Sequence, residues 1–486
     1  MPSTTATDVI VVGAGNAALC AALAARERGM NVIALEKAPE SMRGGNTYFT
    51  GGAIRFAYSG LDDVLKVVPD LSDSEKEVIE VGSYTERKYF EDLMRVTEGL
   101  SDQEMADILV RGSLPAMEWM YGQGVRFVPS WSRQAFKVDG KFRFWGGLCL
   151  EAVGGGKGLS DQLFDIAVKN KVEIRYETAA TKLLVNDAGA VTGVLAKGPN
   201  GYEELHAKAV VLACGGFEAN PEMRARYLGP GWELAKVRGV RYNTGDGINM
   251  ALDIGAQAFG HWSGCHAVAW DLNAPPFGNR AITDLYQKHS YPFGLIVNAE
   301  GERFVDEGAD FRNYTYAKYG RAILTQPQRV AYQLFDQKTL HLLRDEYRIP
   351  QVTMAETDTI EELADMLDID REGLVRTVAE YNAGCQPGEY NPTALDGVHT
   401  EGISPAKSNW ALPLDSPPYV GYAVTCGITF TFGGLRINRR GQVMDTSENP
   451  MPGLYAAGEL VGGLFYNNYP GGAGLMAGSV FGKTAG

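Results

Sequence analysis

The stretch that most limits what this chain can fold into is TDVIVVGAGNAALCAALAARERGMNVIALEK, residues 7–37. Residues 9–12 are four consecutive apolar side chains, which suits a strand covered on both faces. Gly13, Ala14, Gly15, Asn16, Ala17 and Ala18 follow, spelling G-x-G-x-x-A. Gly13 permits a tight turn, Gly15 lets backbone approach a pyrophosphate, and Ala18 lets a helix pack closely on the strand. Residues 19–28 are strong helix formers, so the first N–H groups of that helix, near Asn16 and Ala17, aim at the phosphates. Gly29 ends the helix. Residues 32–35 form a second strand, which runs into Glu36 and Lys37. An acid at that point suits the two hydroxyls of an unphosphorylated ribose. The unit as a whole predicts a Rossmann-like α/β domain that binds an ADP-containing dinucleotide.

With 486 residues the chain is long for one core and suits two domains, one of them discontinuous. A net charge of -14 argues against nucleic acid and against anionic membrane surfaces as partners. It leaves an anionic small-molecule substrate open, because a local cleft can oppose the global sign. The six cysteines form no C-x-x-C, so nothing in the sequence points to zinc, an iron–sulfur cluster or c-type haem, and no metal is expected. Scattered cysteines and the lack of a signal-like start or long apolar run lead to the expectation of a cytoplasmic protein, with membrane contact only through a partner.

The segment SMRGGNTYFTGGAIRF, residues 41–56, separates a flavin from a nicotinamide cofactor. A nicotinamide enzyme would continue its sheet at this point, whereas a flavin needs more protein along its length. This glycine-rich loop resembles that of the fumarate reductase/succinate dehydrogenase flavoprotein family, where it runs along the FAD pyrophosphate and ribitol. The resemblance implies FAD contacts at Arg43, Gly44, Gly45, Asn46, Thr47, Gly51 and Gly52. Family members that attach FAD covalently use a histidine in this loop; none lies in residues 41–56, so non-covalent FAD is expected.

The same resemblance organises much of the remaining chain. Residues 61–124 read as a helical layer with capping-box signatures at Ser72/Glu75 and Ser101/Glu104. Residues 154–196 read as loop, helix and meander, with Ala179 and Ala180 at the adenine end. The apolar strand before Cys214, Gly215 and Gly216 resembles the one passing under the cofactor, with Cys214 as a small core residue. Asn243 opens a turn in which Asp246 is expected to cap a helix. Residues 261–430 read as an inserted α+β capping domain, between FAD-binding parts 1–260 and 431–486. Glu459 resembles the family's ribitol-binding acid. In GGLFYNNYPGGAGLMAG, residues 462–478, the glycines, with Gly474 and Leu475, lie along the isoalloxazine in this reading.

The family transfers a hydride between flavin N5 and a substrate carbon while a side chain exchanges the neighbouring proton. The sequence around residues 301–312 resembles the family segment leading to the active-site arginine, which is Arg312. His266 falls where fumarate reductases hold a substrate carboxylate. Three departures stand against a fumarate reductase proper. A second histidine is replaced by Thr429 or Phe430, the proton-relay Glu and Arg by Gln287 and Ser290, and a carboxylate-clamping arginine by Tyr469. The Tyr-Pro-Gly pattern occurs in FAD-dependent tricarballylate dehydrogenases and in 3-ketosteroid Δ1-dehydrogenases. The first group resembles nearly the whole chain and implies a carboxylic-acid substrate, tricarballylate oxidised to cis-aconitate, with a separate membrane-associated iron–sulfur protein as electron acceptor. In the second, Tyr469 and the N–H of Ala473 would hold a ketone oxygen. A tri-anion needs cations, and Arg55, Arg143, Arg241, Lys288, His289 and Arg312 are candidates. A fumarate-reductase-like ene-reductase and a flavin electron-relay subunit complete the readings.

Overall fold

The computed structural model describes residues 4–486. The first sheet has the strand order Ala179–Val185, Val191–Gly198, Gly201–Leu212, Thr4–Val12, Val32–Leu35, Glu173–Arg175. Thr4–Val12 lies parallel to both Gly201–Leu212 and Val32–Leu35, with Val9 opposite Ala209 and Val32. Its buried centre, Ile10 to Val12, is the four-residue apolar run's structural consequence: a parallel strand hidden on both faces. Pro450–Ala456, from the far end of the chain, adds parallel to Gly201–Leu212 and pairs antiparallel with Gln442–Met444.

The first helix, Asn16–Glu27, is covered by the last, Ala473–Ala485. Small residues make this approach close: a Cβ on Gly482 would fall 2.5 Å from the Ala17 carbonyl oxygen. Asn16 Nδ2 donates to Leu475 O at 2.8 Å and to Ser479 Oγ at 3.1 Å, closing the two chain ends over one site.

A second sheet is organised by the 17-residue strand Tyr419–Leu435. It pairs antiparallel with Ala258–Asp271, Val330–Asp336 and Met354–Thr357, and parallel with Lys236–Val237; Leu295–Asn298 extends the sheet beyond Val330–Asp336. The positions 260/261 and 430/431 proposed as domain boundaries lie within Ala258–Asp271 and Tyr419–Leu435, strands that run from one region into the other. Leu295, Leu334, Leu363 and Leu374 form part of the core under this sheet. A separate aromatic cluster, Phe136, Trp145, Phe293 and Trp410, fastens segment 130–148 onto it.

Of the two expected capping boxes, the one at Ser72 forms, and Thr359 caps a further helix. Ser72 accepts from the Glu75 N–H while Glu75 accepts from the Ser72 N–H, a complete capping box, and Thr359 accepts from the Glu362 N–H. The expected box at Ser101 is displaced by one residue. Asp102 caps Gln103–Gln123 through the Met105 N–H, and the Ser101 hydroxyl donates to Leu464 O. A carboxylate adjacent to the hydroxyl is an equally good cap, and Ser101 is needed for a distant contact. No helix among the described residues is long and apolar enough to cross a membrane.

Candidate active site

One long cavity runs between the two sheets. Its first end is lined by Gly13, Gly15, Asn16, Ala17, Glu36, Lys37, Ala179 and Ala180, its middle by Gly45, Asn46, Thr47, Gly51, Gly52, Cys214, Gly215, Asn243 and Asp246, and its inner part by Glu459, Gly474 and Leu475. Of the expected cofactor contacts, Arg43, Gly44 and Gly216 do not line it. The Arg43 guanidinium turns to Glu40 and the Tyr176 hydroxyl, and Gly44 packs against Ser160. Gly216 packs behind Glu459, where a Cβ would sit 2.2 Å from Oε1. Asp246 lines the cavity but does not cap its helix: Gly245 is the cap residue, and the Asp246 carboxylate binds Lys37 Nζ at 2.7 Å. The salt bridge to a charged amine outcompetes a local cap.

The two glycines of the fingerprint do different work. Gly13 has φ +109° and a Cβ there would fall 2.4 Å from Ala213 O, so the turn tolerates only glycine. At Gly15 the nearest atom to an added Cβ is 3.7 Å away, and at Gly45 it is 3.8 Å away. A side chain at either would occupy the cavity itself. Glu36 is buried at the cavity's end, where its Oε1 accepts from the Ala38 N–H at 2.8 Å. Burial pushes its carboxyl up to about 7, so it gains from hydroxyl donors. Deeper in, Glu459 Oε1 accepts from the Thr431 N–H at 2.9 Å, and Glu218 Oε1 accepts from both Asn46 and Asn243. Burial and the Glu218 charge beside it hold the Glu459 carboxyl well above the usual range. An open, glycine-walled trough with a ribose-ready acid at one end and a second acid further along fits FAD.

Beyond Leu475 the walls change from backbone to side chains. Tyr469 and Tyr316 share a short hydroxyl–hydroxyl hydrogen bond. Burial raises the pKa of Tyr469, and burial with the Tyr469 neighbour raises that of Tyr316 further. Arg133, Arg238, His289 and Arg312 also face this end, with Gln134, Gln287, Phe430 and one acid, Glu346. Arg312 Nε, Arg238 Nε, His289 Nε2 and Glu346 Oε1 are buried and have no hydrogen-bond partner within the protein. Arg133 is the exception, forked onto Asp284 at 2.6 and 3.1 Å. Arg312 donates through Nη2 to Arg133 O, and burial lowers its pKa from the usual arginine range. Burial, then the Arg312 charge, holds His289 well below the usual histidine value, so it is neutral.

His266 is placed differently from expectation. It is fully buried opposite Phe430 in the strand register, stacks on that ring at 5.1 Å, and meets Tyr316 and Tyr469 edge-on at 4.9 and 4.8 Å. It supports the tyrosines from behind rather than lining the cavity. Among the other cations named from sequence, His289 and Arg312 reach the cavity. Arg143 pairs with Glu80, Arg241 lies over Phe277, and Lys288 is buried donating to carbonyls. Arg55 is buried beneath, holding Gly471 O at 2.7 Å. Arg133, Arg238, Tyr316 and Glu346 had no distinguishing local pattern. The one usable signal was the density of tyrosines in DFRNYTYAKYG, residues 310–320.

A family model described as "FAD binding domain" matches residues 8–475, and the chain belongs to this family of flavoproteins. The "Fumarate reductase (cytochrome)" of Shewanella frigidimarina is 29% identical over 99% of this chain and 76% of its own length. The "3-oxosteroid 1-dehydrogenase" of Mycobacterium tuberculosis is 26% identical over 96% of this chain and 95% of its own. Among solved structures, the open conformation of a flavocytochrome c3 fumarate reductase superposes with a TM-score of 0.72 at 27% identity, covering 100% of this chain and 78% of that one. The protein is an FAD-dependent oxidoreductase of the fumarate reductase family, acting on CH–CH or C=C bonds.

Proposed function

We propose that the enzyme dehydrogenates a small polycarboxylic acid, with tricarballylate to cis-aconitate as the reaction. The observation that carries this reading is the charge at the inner end of the cavity: Arg238 and Arg312, each with a buried, unpartnered Nε, beside the Tyr316–Tyr469 pair. A carboxylate supplies both missing partners, whereas an apolar ring system would leave two desolvated cations unpaired. The ring-ketone alternative also loses a donor, because the Ala473 N–H already donates to Pro470 O at 3.1 Å.

When bound non-covalently in the trough described above, FAD would supply a hydride acceptor for one of two adjacent substrate carbons. Arg238 and Arg312 bind carboxylates and fix the C–C bond across the cavity. Their charge also acidifies the C–H next to the bound carboxylate. Arg312 is a binder first, since a guanidinium has no acceptor lone pair. The proton leaving carbon goes to the tyrosine pair, where ionisation of one hydroxyl is supported by the other's O–H and by the neighbouring cations. His266 and Phe430 hold the two rings in place. In this reading a separate iron–sulfur protein would be the electron acceptor.

The test is anaerobic mixing of the FAD-loaded enzyme with a panel of tricarballylate, succinate, dihydrourocanate and a 3-ketosteroid. Bleaching near ~450 nm by tricarballylate is expected. Bleaching by the steroid alone, or reoxidation of the reduced enzyme by fumarate with no acid able to bleach it, would overturn the reading.

A further inference from the structure

Tyr316 and Tyr469 come from segments 153 residues apart, and backbone joins those segments beside the pair. The Gly471 N–H donates to Asn313 O at 2.8 Å, and Asn468 Nδ2 donates to Tyr314 O at 2.6 Å. Under this joint lies Arg55, fully buried and outside the cavity lining. Its Nε donates to Gly471 O at 2.7 Å, and its Nη1 to Gly146 O at 2.5 Å and to the Tyr314 hydroxyl at 3.3 Å. Its backbone N–H donates to Gly472 O at 3.2 Å. These side-chain bonds go to carbonyls and a hydroxyl rather than to a carboxylate, and Nη2 is buried without a partner. The nearest acid is reached through Tyr314, whose O–H donates to Asp92 Oδ2 at 2.8 Å. Tyr84 donates to the same oxygen at 3.0 Å, while Lys88 and Arg95 hold Oδ1 at 3.2 and 3.3 Å. The other titratable groups facing Arg55 are Tyr58, Tyr89 and Cys149, and burial raises the pKa of each. A buried cation without its own carboxylate is costly to keep for stability alone.

We infer that Arg55 is a positioning residue for the reacting tyrosines: it clamps the turn at Gly471 and Gly472 against the segment carrying Tyr314 and Tyr316, and so keeps the Tyr469 and Tyr316 hydroxyls in contact. The turn has no slack to absorb a shift. A Cβ on Gly471 would fall 3.2 Å from Tyr316 Cε1, and one on Gly472 would fall 3.0 Å from the Arg55 nitrogen. Movement of the turn therefore passes directly into the pair. Burial raises the pKa of Tyr469, and the Tyr316 hydroxyl, the Arg238 charge, the Gly472 N–H and the Arg55 charge oppose that rise, in that order. His266 and Tyr89 also face Tyr469, and burial holds His266 well below the usual histidine value, so it is neutral. Loss of the clamp parts Tyr469 from Tyr316, which makes Tyr469 harder to ionise. The inference rests on proton transfer at Tyr316–Tyr469, and not on which acid is the substrate.

The experiment follows the rate of anaerobic FAD bleaching against pH in the holoenzyme, with whichever compound of the panel bleaches it. Arg55→Lys keeps a charge but loses the fork that reaches Gly471 and Gly146 together. Its kcat is expected to fall by about 10- to 100-fold, with KM and FAD content unchanged and the alkaline limb moved to higher pH. Tyr314→Phe deletes one oxygen of the joint and should change the same two quantities in the same direction by less. If Arg55→Lys does not fold, Tyr314→Phe carries the test. A wild-type rate, or a slower rate with the limb unmoved, would overturn the inference and leave Arg55 as part of the packing. Tyr469→Phe separates this result from failure of the reading beneath it. If Tyr469→Phe keeps its alkaline limb, or if no compound bleaches the FAD, the tyrosine reading falls and the role of Arg55 falls with it. If Tyr469→Phe flattens the limb and Arg55→Lys leaves it in place, only the positioning role falls.

Discussion

The two ends of the cavity are built from different materials. The cofactor end is made of backbone: Gly13, Gly15 and Gly45 shape a trough, and helix Asn16–Glu27 presents its N-terminus to it. The substrate end is made of side chains brought from five separated places, Arg133, Arg238, His289, Tyr316 and Tyr469. A backbone-built site needs particular residues at fixed spacing, so it leaves a motif. A side-chain-built site needs only that the right groups arrive, and its specificity resides in which of them are left unpaired.

If that contrast holds, changes at the substrate end should alter turnover without altering FAD content, and changes at the cofactor end should do the reverse. The largest effect is expected for Tyr469→Phe, a loss of about 10²–10⁴ in kcat at unchanged FAD-to-protein ratio. In the wild type the raised tyrosine pKa values have a definite sign. The base form is scarce at neutral pH, so dehydrogenation should quicken as pH rises into the alkaline range, and Tyr469→Phe should flatten that limb. Arg238→Met comes next. Losing one charge-assisted contact should raise KM for the acid by about 10- to 100-fold with a smaller fall in kcat. A change confined to kcat would move Arg238 from substrate binding to chemistry.

Gly13→Ala tests the other end. A Cβ at φ +109° and 2.4 Å from Ala213 O should cost about 2 kcal/mol or more, seen as a lowered unfolding midpoint and poor FAD retention. The smallest effect concerns Glu36. Its folded-state pKa is raised to about 7, so the folded apoprotein binds the extra proton between the ordinary carboxylate range and that value. Stability conferred by that proton is present at low pH and lost as pH rises through about 7. Glu36→Gln should remove this slope from apoprotein melting curves; an unchanged slope would mean that Glu36 is solvated as an ordinary surface acid.

The parallel strand, the turn at Gly13, the helix and Glu36 were all legible, because each depends on residues within 30 positions of one another. The capping error at Ser101 and the misplaced role of Asp246 came from the same source. Both side chains had distant partners, Leu464 O and Lys37, that compete with the local hydrogen bond. His266 lies behind the cavity wall instead of on it. Its strand pairing with Phe430 turns the ring into the core behind the tyrosines, a fact of register that no single strand reveals.

The sequence by itself determined the dinucleotide-binding unit and the flavin cofactor, because glycine spacing and apolar runs are local requirements of backbone geometry. The tertiary structure alone decided which charged groups face the inner end of the cavity. Arg238 and Glu346 differ from any surface Arg or Glu only in being buried without partners, and burial is set by strands and loops that meet from across the whole chain.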